Sequence, residues 1–147
     1  MKKFFTVLLY LLFFASAFAK EKYMGIKIGI TSDIGNYTLT ATLADNSSAK
    51  AFYELLQISP VEIKMHDYGS FEKVGPLPQS LPRNDTQITT RAGDIILYQG
   101  NQITIYYDVN SWNFTKLGKV ENVTQDGLKQ ILGKGNVTAV FSVGKWR

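Results

Sequence analysis

Tyr37-Thr-Leu-Thr-Ala-Thr-Leu43 places an apolar residue at every odd position and threonine at every even one. Successive side chains of a β-strand point to opposite faces, so this segment predicts a strand with one apolar and one hydroxyl-bearing face. The same period extends outward in both directions. Ile26, Ile28 and Ile30 mark an earlier strand, and Val61, Ile63 and Met65 alternate with Glu62, Lys64 and His66 in a later one. Val137, Ala139, Phe141 and Val143 repeat it within Asn136–Val143. Asp94-Ile-Ile-Leu-Tyr-Gln99 is apolar on both faces, the pattern of a strand covered on both sides. Gly100-Asn101 then turns the chain into Gln102-Ile-Thr-Ile-Tyr-Tyr107, which predicts a hairpin. Thr115–Val120 reads as a further strand.

Two segments change to helical spacing. Behind Asn46 as N-cap, Ala49, Phe52, Tyr53 and Leu56 fall at i, i+3, i+4 and i+7, and Pro60 blocks continuation. Thr124 caps a shorter helix with Asp126 in its first turn, Leu128, Ile131 and Leu132 on its apolar side and Gly133 as its stop. Gly127 costs this helix up to ~1 kcal/mol relative to alanine, so it depends on packing against a sheet. Gly75-Pro-Leu-Pro-Gln-Ser-Leu-Pro82 holds three of the four prolines. It reads as an extended surface loop rather than a central strand. Many short strands with two helices predict a mainly β fold, an antiparallel barrel or sandwich with helices closing its ends.

Several strings, in this order, resemble the bacterial cyclophilin-like domain. They are Leu43-Ala-Asp-Asn-Ser-Ser-Ala-Lys-Ala-Phe52, Glu72-Lys73 ahead of the proline-rich crossing, Gly93-Asp94-Ile-Ile-Leu-Tyr98, Ile103-Thr-Ile-Tyr-Tyr107, Phe114-Thr-Lys-Leu-Gly118 and Leu132-Gly-Lys-Gly-Asn-Val137. The resemblance runs from about Ile26 to Phe141. It implies a closed, roughly eight-stranded antiparallel barrel capped by two short helices. True cyclophilins resemble one another through a Phe-His-Arg string that supplies the catalytic arginine and a Gln-Gly-Gly-type string in the pocket. Neither occurs here, and of the three arginines, Arg83, Arg91 and Arg147, none follows Phe-His. The resemblance therefore implies the barrel without the isomerase motifs.

Lys2 and Lys3 precede an uncharged apolar run, Phe4 to Phe18, that ends in Ala15-Ser-Ala-Phe-Ala19 before Lys20-Glu21-Lys22. A basic start, a short apolar middle and a small-x-small end together predict a secretory signal peptide over residues 1–19, cleaved after Ala19. The run is shorter than the ~20 residues that span a bilayer. Residues 20–147 then form one domain, expected to be monomeric and to reside in a periplasm or outside the cell. Sixteen Lys and Arg against twelve Asp and Glu give +4, and losing Lys2 and Lys3 leaves +2. These basic residues are scattered, against the clustered basic face that nucleic-acid binding needs. With no cysteine, disulfides, thiolate metal sites and a Cys nucleophile are excluded.

Candidate chemistry is sparse. His66 is the single imidazole, and alternation sets it on the exposed face of its strand. Asp67, the adjacent residue, points to the other face and cannot orient it. No Gly-x-Ser-x-Gly elbow and no calcium-type acidic loop is present. Asp94 after Gly93 reads as a turn former, and Gly133-Lys134-Gly135 as a helix stop lacking phosphate-loop spacing. Neither metal nor cofactor is expected. Six of the eight asparagines begin Asn-x-Ser/Thr, which in a bacterial chain reads as turn and cap chemistry rather than glycan acceptors.

Aromatics are the most suggestive group. Tyr98, Tyr106, Tyr107, Trp112 and Phe114 gather around one hairpin and the loop after it. Tyr and Trp offer a flat apolar surface with a polar edge, suited to peptides or sugars. Tyr98, Tyr106, Trp112 and Phe114, with Arg91, are the candidate ligand-binding residues. The function expected is an exported, non-enzymatic module that binds a peptide, glycan or small apolar molecule. The alternative is a degenerate or unconventional prolyl isomerase.

Overall fold

A computed structural model describes residues 24–144. The expected leader, residues 1–19, and its expected cleavage after Ala19 lie outside the described residues. Nine strands and two helices follow in the order β1 (Gly25–Ser32), β2 (Gly35–Leu43), α1 (Ser47–Ile58), β3 (Val61–Tyr68), β4 (Glu72–Pro76), β5 (Thr86–Thr89), β6 (Asp94–Tyr98), β7 (Gln102–Tyr106), β8 (Ser111–Val120), α2 (Gln125–Leu132) and β9 (Val137–Val143).

Eight of these strands close into a ring, β2-β1-β9-β3-β4-β7-β6-β8, which the β2–β8 pairing completes, and every pairing is antiparallel. The fold is thus the closed eight-stranded barrel. The ninth strand, β5, stands outside the ring and pairs only with the first half of β8. At the closing seam a Cβ on Gly118 would sit 2.6 Å from the Thr42 carbonyl oxygen. Only glycine lets β2 and β8 approach this closely.

Alternation fills the interior. Ile26, Ile28, Ile30, Leu39, Ala41, Leu43, Ile63 and Phe141 are all buried, and they belong to one apolar cluster. Asn46 caps α1 by accepting from the Ala49 amide at 2.8 Å, and the helix sets Phe52 edge-on against Phe141, ring centres 5.6 Å apart. Thr124 caps α2, Gly133 ends it at φ 68, and Leu128 and Leu132 are buried. α1 starts beside the Gly25 end of β1, whereas α2 ends against Ser32 and Asp33. The helices therefore close opposite ends of the barrel.

The proline-rich segment differs from the expectation. Its first two residues, Gly75 and Pro76, finish β4, a central strand between β3 and β7. Pro76 is tolerated because it is the last residue of the strand and exposed. Gly75 is required because a Cβ there would lie 2.4 Å from the Lys64 carbonyl oxygen. From Leu77 to Pro82 the chain has no regular structure, although Leu77 and Leu81 are buried in the core. β8 also begins at Ser111, four residues before the sequence suggests, because β5 pairs with its front half.

Candidate functional site

Strands β3, β4, β7, β6 and β8 each send alternate side chains inward to the core and outward to a cleft of about 520 Å³ on the side of the barrel. Tyr98, Tyr106, Trp112 and Phe114 all line this cleft. Arg91 does not: it lies exposed in the turn before β6, where its backbone N–H donates to the Asp94 carboxylate at 2.9 Å. The structure thus unites four of the five residues picked from sequence and separates the fifth. Asp94 acts as a turn former and also sits 3.4 Å from Lys116 and from Lys119. Tyr107, the inward neighbour of Tyr106, belongs to the barrel end instead.

The wall of the cleft is a relay of touching rings. Tyr68 meets Phe71 edge-on at 5.9 Å, and Phe71 stacks on Tyr106 at 5.9 Å with planes 2° apart. Tyr106 tilts against Phe114 at 5.7 Å, and Phe114 meets Tyr98 at 6.0 Å. Ile96, Tyr106 and Phe114 form a buried cluster of their own, separate from the barrel core. At the margins Tyr68 and Trp112 are 59% and 60% exposed, unusual for rings of this size. Trp112 stands opposite Ile88 of β5, so the extra strand holds it at the rim.

Glu72 is the residue that sequence reasoning missed. It lies between Tyr68 of β3 and Tyr106 of β7, three side chains in a row on the outer face. The residue is 8% exposed, and its Oε2 atom is buried without a hydrogen-bond partner among the described residues. Buried polar atoms are nearly always paired, so this one stands out. Burial pushes its carboxyl above the ordinary glutamate value; the Tyr106 hydroxyl opposes that shift, and the Asp67 charge adds to it. Burial likewise raises the Tyr106 phenol, whose oxygen accepts from the Asn110 amide at 3.3 Å. Glu72 had been visible only as part of the Glu72-Lys73 string. Nothing local shows that a charged pair lies in a buried strand.

Lys73, the next residue, faces the other way and is held by partners there. Its ammonium donates to Asp67 at 3.2 Å and to the Gly135 carbonyl at 2.7 Å, 5.8 Å from the centre of the Tyr107 ring. Asp67 also accepts from the Tyr107 hydroxyl, so it is engaged away from His66. His66 is exposed, as alternation predicts, yet it reaches the cleft lining. A second, broader depression of about 820 Å³ lies at the α2 end, between Tyr37, Tyr107 and Lys134. Two of its charged groups are engaged by residues outside it, Lys129 by Asp108 at 3.4 Å and Asp67 by Lys73. We favour the smaller cleft because only it combines exposed rings with an unpaired buried atom.

Among the described residues no three His, Asp or Glu side chains come together as metal ligands, and no helix is long and apolar enough to cross a membrane. No arginine of the described residues lines the cleft; Arg83 is held by Asp85, to which its Nε donates at 2.9 Å. What the cleft offers is flat apolar surface, one buried carboxyl and the amides of Gln102 and Asn110. Comparison with curated proteins returns no match. A model of the cyclophilin-like family matches residues 32–142, from the end of β1 into β9. This match covers most of the chain and agrees with the ring of eight strands: the chain belongs to the cyclophilin-like family.

Proposed function

We propose that this chain is an exported, non-enzymatic binding module that seats a flat apolar group of a peptide, glycan or small molecule in the aromatic cleft. The observation that carries this reading is the relay of rings from Tyr68 to Tyr98 on the outer face of the barrel, apart from the core, with exposed Tyr68 and Trp112 at the margins of the cleft it lines. Pockets with apolar walls and a few polar groups are the usual ligand sites of globular domains. Export rests on the basic, apolar and small-x-small parts of the leader.

A thermal-shift panel of proline-containing peptides, short oligosaccharides and aromatic fragments tests the binding role. At least one class should raise the melting temperature of the wild type and fail to raise that of Trp112→Ala. Equal shifts in both proteins would show that the site is elsewhere. A protease-coupled proline isomerisation assay at micromolar protein should show no acceleration, and a clear rate increase would overturn the non-enzymatic part. N-terminal sequencing of exported material should begin at Lys20; material starting at Met1 would contradict the leader.

A further inference from the structure

We propose that the cleft recognises an organic ammonium group carried on an apolar body, with Glu72 as its counter-ion and the rings of Tyr68 and Trp112 as its walls. This rests on reading the aromatic cleft as a ligand site and names the chemistry it selects.

Glu72 Oε2 is buried and unpartnered, and it belongs to the cleft lining. A carboxylate held in such a place is costly unless a cation or a donor meets it. Among the described residues no such cation is supplied. Lys73 projects to the opposite face and is taken by Asp67 and Gly135, and among the described residues no Lys or Arg lines the cleft. His66 of β3, the only imidazole, sits at the exposed edge. The other titratable groups facing Glu72 are phenols, Tyr68 from β3, Tyr98 from β6 and Tyr106 from β7, with Asp67 adding further negative charge from β3.

The rings act in the same direction. An aromatic face attracts a cation within about 6 Å, most strongly for Trp and Tyr. Tyr68 is the direct cross-strand partner of Glu72, so a cation bound to the carboxyl has a ring beside it from the outset. Phe71 and Phe114 supply apolar surface for the remainder of the ligand. Burial of the ionised acid also means that an arriving ammonium, meeting the unpartnered Oε2 beside the Tyr106 hydroxyl, stabilises the charge. Anions meet the opposite: an acid, electron-rich ring faces and no compensating cation.

Three probes of matched shape and different charge test this on the full chain by calorimetry and amide NMR: 2-phenylethylammonium, 2-phenylethanol and phenylacetate. The ammonium should bind at least ~10-fold more tightly than the alcohol, a difference of about 1.4 kcal/mol, and phenylacetate should bind most weakly. Glu72→Gln should bring ammonium and alcohol within about twofold of each other. Trp112→Ala, at an exposed position, should weaken the ammonium severalfold without touching the fold. Equal binding of ammonium and alcohol in the cleft would overturn the ammonium inference while leaving the ligand site standing. Failure of all three probes would also overturn it, and coupled with a failed panel would remove the cleft reading as well. Should Glu72→Gln not fold, the wild-type ranking of the three probes still decides.

Discussion

Strands β6, β7 and β8 carry different residues on their two faces, and the contrast separates what closes the barrel from what the barrel displays. Inward they set Ile95, Leu97, Ile103, Ile105 and Leu117, aliphatic side chains that interdigitate in the single large core. Outward they set Tyr98, Tyr106, Trp112 and Phe114, rings that meet at their edges and leave a cleft. Branched aliphatics fill a closed volume at high density, whereas on the outer face Tyr106 and Phe114 bury against Ile96 and leave Tyr98 and Trp112 open to water. A barrel needs only its inner face to fold. The outer aromatic face is therefore surplus to closure, and this is why we assign it to binding.

The largest expected effect is on the inner face. Phe141→Ala removes a fully buried ring that packs on Phe52, and should cost roughly 3–5 kcal/mol in urea denaturation. A loss below about 1 kcal/mol would mean that the interior is not what holds the barrel. Lys73→Ala should come next, at about 3 kcal/mol, because it leaves Asp67 without its cation and the Gly135 carbonyl without its donor. Its neighbour on the outer face should behave in the opposite sense. A carboxyl with a raised folded-state value binds its proton more tightly folded than unfolded, so ionising it destabilises the protein. That penalty appears as pH rises above about 4.5 and is complete once the folded value is passed. Glu72→Gln should therefore raise the melting temperature at pH 7, and the gain should vanish below pH 4.5. A loss of stability at pH 7 would show that Glu72 serves the fold. Smallest of all, His66→Ala and Trp112→Ala should each change stability by under ~0.5 kcal/mol, both side chains being exposed.

The same contrast explains which parts of the molecule could be read from sequence. Where one face is buried and the other open, as in Tyr37–Leu43 and Val61–Asp67, strict alternation fixes strand and register together. Both helices were legible from their caps, Asn46 and Thr124, and their apolar spacing. β4 was not. It holds two charged residues, a glycine and a proline in five positions, and Glu72 and Lys73 are both buried because partners far along the chain surround them. β5 and the front of β8 were missed for a related reason: Thr86–Thr89 and Ser111–Asn113 are largely exposed and polar apart from Ile88 and Trp112, so only their mutual pairing makes them strands. The aromatic lining of the cleft could be anticipated because composition alone singled out the Tyr98–Phe114 region. The acidic part could not, since an unpaired buried oxygen is a property of packing and leaves no local pattern.

The central claim is that the outer aromatic face is where this protein binds. The most direct measurement is amide and aromatic NMR mapping of the first ligand that stabilises the wild type in the panel. Resonances of Tyr68, Tyr98, Tyr106 and Trp112 should move together and saturate at one ligand concentration. Movement confined to Tyr37, Tyr107 and Lys134, around the broader depression at the α2 end, would contradict the account.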